Sequence, residues 1–427
     1  MSEPLESVRR GASCMDDYDP ESLTAADAVR RMTEFVTPID GTERVALRAA
    51  LGRILAAPVV STLPVPGHTN SAMDGYAVRS ADLPEQGAAT LTLVGASLAG
   101  RPFDGRVGPG ECIRITTGAV MPDGADTVVM QEHVEVDRDR GQLRLDAGHR
   151  AGQNVRQAGE DIPPGAEVIA PGRRMTPADL GLAASLGIAE VTVRRRLRVA
   201  FFSTGDELRS LGEPLAPGMI YDSNRYTLYG MLSELGVEVL DMGVVRDDKA
   251  ALIEAFSTAG RNADAVISSG GVSVGEADYT REVMAAVGEV ALWKVAMKPG
   301  RPMAFGRVGG AVFFGLPGNP VSVMVTFYEF VRDVLVKMMG GRPDPVPTLR
   351  ARTTARLKKR PGRVEFQRAV LARDDAGAWT VTPTGDQGSG ILTSMSEANC
   401  FVVLDEDSRG VEAGAEVVVH PFHGVCR

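Results

Sequence analysis

Between Arg198 and Gly340 the sequence alternates short continuous apolar runs with longer amphipathic ones. No other feature narrows the fold as much. Residues 197–203 form an apolar run bounded by charge and glycine, the signature of a strand buried on both faces. Leu228, Met231, Leu232 and Leu235 follow at i, i+3, i+4 and i+7, which is the stripe of a helix. The pattern repeats with strands at 237–242, 265–269, 290–295 and 312–315, and helices at 249–259 and 279–287. A single long helix is predicted over 320–339, with Val321, Met324, Tyr328, Val331, Leu335 and Met338 on one face. Strands alternating with helices predict a mostly parallel, doubly wound α/β sheet covered on both faces.

The flanks read differently. Residues 1–19 are polar and are expected to form a disordered tail. Helices are predicted over 22–36 and 176–186. Between 59 and 169, short Val/Ile/Leu/Thr runs at 90–94, 112–116, 127–130 and 133–136 recur between Gly, Pro and Asp, predicting a β-rich region. A Pro/Gly linker at 340–347 precedes short strands only, near 350–357, 364–371, 379–383, 400–404 and 416–420. The expected class is α/β plus β, multi-domain, with a β-rich N-terminal domain and a small β-barrel-like C-terminal one. The expected division is a discontinuous linker domain (20–62 and 150–193), a β-rich domain (63–149), the α/β domain (194–341) and the C-terminal β domain (342–427).

Charge and cysteine usage exclude several classes. Lys and Arg number 46 against 55 Asp and Glu, a net charge of −9, which argues against a nucleic-acid coat. The four cysteines, Cys14, Cys112, Cys400 and Cys426, form no CxxC pair, so neither a thiolate zinc site nor a disulfide framework is expected. No apolar h-region and no 18-residue apolar run occur, so a cytoplasmic protein without a membrane span is expected. Glycine is abundant, 48 of 427 residues, and must serve turns or loops where backbone approaches something closely.

In open α/β sheets, ligands bind beyond the carboxyl ends of the strands, so the residues there are the first candidates. The first predicted strand runs into Ser203-Thr-Gly-Asp-Glu-Leu208. The third runs into Ser268-Ser-Gly-Gly-Val-Ser-Val-Gly-Glu-Ala-Asp-Tyr279, where Ser269, Gly270, Gly271, Ser273 and Gly275 either cradle a phosphate or make a plain glycine turn. This string has neither P-loop nor dinucleotide spacing. Asp206, Glu207, Asp247, Glu276 and Asp278 are helix caps and solvated loop acids, or they converge on a hard cation. Lys294, Lys298 and Arg301 are surface cations, or they meet a phosphorylated substrate. Leu316-Pro-Gly-Asn-Pro320 opens the long helix and contributes Pro317 and Pro320. Upstream, Asp74, Thr117, Arg156 and Asp161 sit in polar, glycine-bearing loops. Nine Lys/Arg between Arg342 and Arg368 form a solvated strand face or a surface that meets an anion. No Ser/His/Asp or Cys/His arrangement supports covalent catalysis.

Seven of these strings, in order, resemble the molybdopterin molybdenumtransferase (MoeA) family, which includes the E domain of gephyrin. They are SAMDGYA at 71–77, TGA at 117–119, GQNVRQAGED at 152–161, STGDEL at 203–208, SSGGVSVGEADYT at 268–280, KPGRP at 298–302 and GLPGNP at 315–320. The resemblance spans the chain from about Leu23 onward. It implies a MoCF/MogA-like α/β domain that binds adenylylated molybdopterin and molybdate with Mg²⁺, inserts molybdenum into the dithiolene and releases AMP. It further implies an elongated homodimer whose site lies between the α/β domain of one subunit and the Asp74/Thr117 region of the other, and an adenylyltransferase that supplies the substrate. The sulfur ligands belong to the substrate, which fits the absent cysteine cluster. Glu207, Asp247 and Asp278 are implied for the Mg²⁺-phosphate region, and Lys294 and Lys298 for neutralising molybdate or phosphate. Gly270–Gly275 is implied to cradle phosphate, and Pro317 and Pro320 to shape the molybdate side. Asp74 is implied to be catalytic, and Thr117, Arg156 and Asp161 to bind substrate. Arg301 stands where the family commonly has Lys, which presents a fork of donors rather than a point charge. A non-catalytic gephyrin-like scaffold and a nucleotide amidase are the competing readings.

Overall fold

The computed structural model describes residues 22–271, 277–343 and 346–422, with the backbone alone for 277–281. The predicted tail, Ser273, Gly275, Glu276 and the side chain of Asp278 therefore lie outside the described residues.

The α/β region is a six-stranded sheet in the order Glu238–Val245, Arg198–Thr204, Ala265–Ser269, Ala311–Leu316, Pro302–Val308, Gly288–Lys294. The first four strands are parallel, Pro302–Val308 runs against them, and Gly288–Lys294 pairs antiparallel to Pro302–Val308. Apart from Arg198, which is exposed at the start of the strand, the run at 197–203 is buried, as a central strand requires. Helices Ala25–Phe35 and Ser223–Leu235 and the segment Pro320–Thr326 pack on one face, around Phe201, Trp293, Phe305 and Phe314. Lys249–Asn262 and Ala277–Val287 cover the other, around Phe202, Phe256 and Phe313. Side-chain caps set the starts: Thr24, Asp222 and Asp248 each accept a first-turn backbone N–H.

Two expectations are corrected here. The Pro302–Val308 strand is absent from the sequence prediction, because it begins with proline and carries Gly306, both of which read as strand breakers. In the sheet, Gly306 is demanded by crowding, since a Cβ there would collide with the Glu289 carbonyl. The helix predicted over 320–339 is interrupted: Pro320–Thr326 and Arg332–Met338 are α-helical, and Phe327–Val331 forms a π-turn. The π-turn lies against the C-terminal barrel, where Tyr328 stacks on Phe422 at 5.4 Å and Glu329 meets His420 at 3.3 Å.

Upstream, a second six-stranded sheet runs Thr127–Met130, Gly75–Val78, Glu111–Ile115, Ala88–Ser97, Gln142–Asp146, Val134–Asp137. A separate apolar cluster draws Ala50, Leu55 and Val59 together with Ile162, Ile169, Met175, Leu186 and Val193. After the linker, Val364–Arg373, Trp379–Pro383, Leu349–Thr353, Glu416–Pro421 and Cys400–Leu404 close into a five-stranded barrel, the last strand pairing back to the first. Met297–Lys298 adds to this barrel from outside, parallel to Val364–Glu365, and so carries Lys298 to the junction of the two units. No helix among the described residues is long and apolar enough to cross a membrane.

Candidate functional site

A cleft of about 750 Å³ opens at the carboxyl ends of the parallel strands, and the barrel forms its far wall. Nine of the sequence candidates line it: Glu207, Asp247, Ser269, Gly270, Gly271, Lys298, Arg301, Pro317 and Pro320. Lys294 does not line it; it ends the Gly288–Lys294 strand and is buried. Asp247 and the two glycines also border a second cavity of about 390 Å³, which runs toward Leu252, Phe256 and Met284.

The glycine turn is built to bring backbone against backbone. Gly270 and Gly271 take φ of 89° and 67°, and a Cβ on Gly270 would sit 2.6 Å from the Thr204 carbonyl oxygen. Only glycine fits both conditions without displacement. Asn224, in the first turn of Ser223–Leu235, holds this wall together. Its amide donates to Ser269 Oγ at 2.8 Å and to the Gly318 carbonyl at 2.7 Å, joining two strand-end loops. Thr204 Oγ1, Asp222 Oδ2 and Asn224 Oδ1 are buried on this wall and find no protein partner among the described residues. An unsatisfied buried polar atom costs about 1–3 kcal/mol, so three on one wall mark a place that accommodates polar ligand atoms or water.

Charge is divided across the cleft. Glu207 and Asp247 face it from the strand ends, and the Asp247 backbone N–H is 3.4 Å from Asp206 Oδ1. Lys298 is half exposed and reaches the buried carboxylate of Glu365 at 3.3 Å. That carboxylate is held in turn by the Gln367 amide. Among the described residues no three His, Cys, Asp or Glu converge as a ready-made metal site. Two carboxylates on one cleft wall nonetheless fit a hard cation that shares its coordination with substrate phosphate oxygens.

The upstream candidates form a second group. Asp74 accepts hydrogen bonds from the Thr117 backbone N–H at 2.7 Å and from its hydroxyl at 2.9 Å, and these hold its carboxyl below the usual range. Strand Val155–Arg156 pairs with Asn70–Ser71, the Ala72 N–H donates to Asn154, and the Gly118 N–H donates to Ser71. Three sequence strings thus become one exposed surface carrying Asp74, Thr117 and Arg156, with Asp161 on the same loop. None of these four lines the cleft of its own chain.

Sequence reasoning missed Asp222, Asn224 and Ser389, which line the cleft, and held Arg363, which lines it too, only as one of the nine Lys/Arg of the 342–368 stretch. The Asp-Ser-Asn run at 222–224 is a helix-start signal that could have been noticed. Arg363 and Ser389 come from the barrel, and nothing local to them points to a site at the end of another sheet.

The chain matches three family descriptions in succession. These are "MoeA N-terminal region (domain I and II)" over residues 23–187, "Probable molybdopterin binding domain" over 200–337, and "MoeA C-terminal region (domain IV)" over 350–422. It is 44% identical over 402 residues to a molybdopterin molybdenumtransferase of Haemophilus influenzae, covering 94% of this chain and 99% of the relative. It is 38% identical to one from a Nostoc species, covering 97% and 94%. A crystal structure of a molybdopterin biosynthesis moeA protein from Pyrococcus horikoshii superposes with a TM-score of 0.81 at 29% identity, covering 94% of this chain and all of that one. With relatives this similar along nearly its whole length, and with the same three-part architecture, this chain belongs to the molybdopterin molybdenumtransferase (MoeA) family.

Proposed function

We propose that this transferase of molybdenum cofactor biosynthesis inserts molybdenum from molybdate into the dithiolene of adenylylated molybdopterin, with Mg²⁺, and releases AMP. The observation that carries this reading is the cleft, where Glu207 and Asp247, the cations Lys298 and Arg301, and the Gly270–Gly271 turn surround one volume. Its logic is positioning plus charge neutralisation, without a covalent intermediate on the protein.

Glu207, Asp247 and Asp278 would hold the magnesium ion, which when bound supplies positive charge to the phosphate that departs. Lys298 and Arg301 neutralise oxyanion charge, Arg301 by a fork of donors and Lys298 as a point charge steered by Glu365. Lys294 is proposed to act on the same anions from the neighbouring strand. The backbone at Gly270 and Gly271 approaches phosphate, and the loop from Pro317 to Pro320 shapes the molybdate side. The group around Asp74, Thr117, Arg156 and Asp161 completes the site of a second copy, which makes the working unit a homodimer. An adenylyltransferase supplies the activated pterin, and the reducing cytoplasm suits Cys112 and Cys400, which are free and buried. A charged cleft in a chain related to enzymes favours catalysis over a scaffold role.

The test is AMP release from adenylylated molybdopterin with molybdate and Mg²⁺. Release by the wild type, lost in Asp247→Ala and Lys298→Ala, is expected. No release by the wild type, or release unchanged in both variants, overturns the reading. Mixing Asp74→Ala with Asp247→Ala subunits should restore part of the activity if two copies share each site.

A further inference from the structure

The basic stretch 342–368 ends in a residue that is not a surface charge. Arg368 is 1% exposed. Its guanidinium donates through Nε to Ser394 Oγ at 3.0 Å and through Nη1 to the Gln387 carbonyl at 3.0 Å. Nη2 donates to the carbonyls of Asp386 at 3.1 Å and Gly388 at 2.9 Å. Its own backbone is engaged by the same loop: the Arg368 N–H donates to Gln387 Oε1, and the Gln387 amide donates back to the Arg368 carbonyl. No carboxylate pairs with it among the described residues, and burial pulls its pKa down.

A buried cation without a counter-ion is a costly way to fill a barrel. Its presence calls for a reason other than stability. Three consecutive carbonyls, those of Asp386, Gln387 and Gly388, are gathered onto one planar fork, which an apolar side chain could not do. The same loop borders the cleft, which Gln387, Gly388 and Ser389 line. The loop is fixed on its far side too, because the Ser389 carbonyl accepts the N–H of Val321 at the start of the Pro320–Thr326 helix.

Lys359 shows that the barrel uses this device elsewhere. It is also buried and donates to the carbonyls of Arg360, Glu406 and Ser408, but none of these three acceptor residues lines the cleft, which that loop reaches only further on, at Arg363, whereas Gln387 and Gly388 line it themselves. What separates Arg368 is the loop it holds.

We infer that Arg368 is a positioning residue of the reaction: by gathering the Asp386–Gly388 carbonyls it fixes the part of the cleft wall that the barrel supplies through Gln387, Gly388 and Ser389. This rests on the cleft being the substrate site. The test compares Arg368→Lys and Arg368→Met with Val417→Ala, a barrel-core truncation on the Glu416–Pro421 strand, which does not lead into the loop. Amide exchange at 385–390 and the split between KM and kcat are measured together. Exchange at 385–390 should accelerate at least about tenfold in Arg368→Met, because the loop's local opening becomes cheaper. KM for at least one substrate should rise about tenfold or more, since small misplacements of a binding wall are felt strongly. Arg368→Lys should fall between, and it carries the test if Arg368→Met does not fold. Val417→Ala should lower Tm with loop exchange and KM unchanged. The inference is overturned if the folded Arg368 variants keep wild-type loop exchange and KM, or if Val417→Ala reproduces their effects. If the wild type shows no turnover, the proposed function fails, while the exchange comparison still decides whether Arg368 orders the loop.

Discussion

Substituting Gly270 by alanine isolates the tightest backbone contact of the cleft. At φ 89° an alanine is strained by about 1–2 kcal/mol, partly offset by about 0.4–1 kcal/mol from the stiffer unfolded chain. The new Cβ would also lie 2.6 Å from the Thr204 carbonyl oxygen and 3.0 Å from its Oγ1, with the former below any contact a real Cβ makes. That oxygen belongs to a central strand, and Gly270 is itself bonded to the Leu316 carbonyl on the next strand, so neither side can retreat freely. Overpacking of this kind adds about 1–3 kcal/mol, giving about 1–4.5 kcal/mol in all. Gly236→Ala is the matched control, with φ 83° in the same α/β unit but nearest atoms at an ordinary 3.6 Å. It should cost about 0–1.5 kcal/mol, from backbone strain alone. At roughly 3–5 °C per kcal/mol for a unit of this size, Gly236→Ala should melt at most about 8 °C below wild type by scanning calorimetry, and Gly270→Ala about 3–15 °C below Gly236→Ala. The stabilisation conferred by saturating AMP should also shrink in Gly270→Ala and persist in Gly236→Ala. Equal melting temperatures for the two variants would refute the claim that the turn is pressed against Thr204.

Burial pushes the Cys112 and Cys400 thiols up to about 12, so neither should alkylate in the native protein at neutral pH and both should after unfolding; site-resolved mass spectrometry checks this. Burial raises the Asp264 carboxyl, but hydrogen bonds from the Arg195 guanidinium and the Arg198 N–H outweigh it and leave the pKa lowered. Its folded pKa lies below the unfolded one, so its stabilisation is complete above the ordinary carboxylate range and is lost as pH falls through the lowered value. Asp264→Asn should therefore melt below wild type at neutral pH, with the gap closing as pH falls below the ordinary carboxylate range; a gap independent of pH would refute the charge argument.

The parts of this molecule legible in sequence are those that local periodicity or strand-end chemistry can encode. Buried runs such as 197–203 and the Leu228–Leu235 stripe announce the sheet and its cover, and glycines, acids and lysines placed after strands announce the cleft. What stayed hidden depends on partners far along the chain. Asn224 acts through residues 45 and 94 positions away, so its role exists only once the two strand-end loops meet. Pro302–Val308 is a strand because neighbours on both sides accept it, against its own proline and glycine. The sharpest case is Arg368, the last cation of a run that reads as a solvated face, although its neighbours in the Val364–Arg373 strand are buried. Its destination is set by carbonyls 18 to 20 residues downstream, and hydrophobic patterning carries no information about where carbonyls point. A guanidinium can enter a barrel only where backbone acceptors already converge, so the Asp386–Gly388 turn and the buried arginine must form together. Periodicity can therefore locate the wall of the cleft that the parallel sheet supplies, while the wall supplied by the barrel depends on a polar contact that only the closed fold creates.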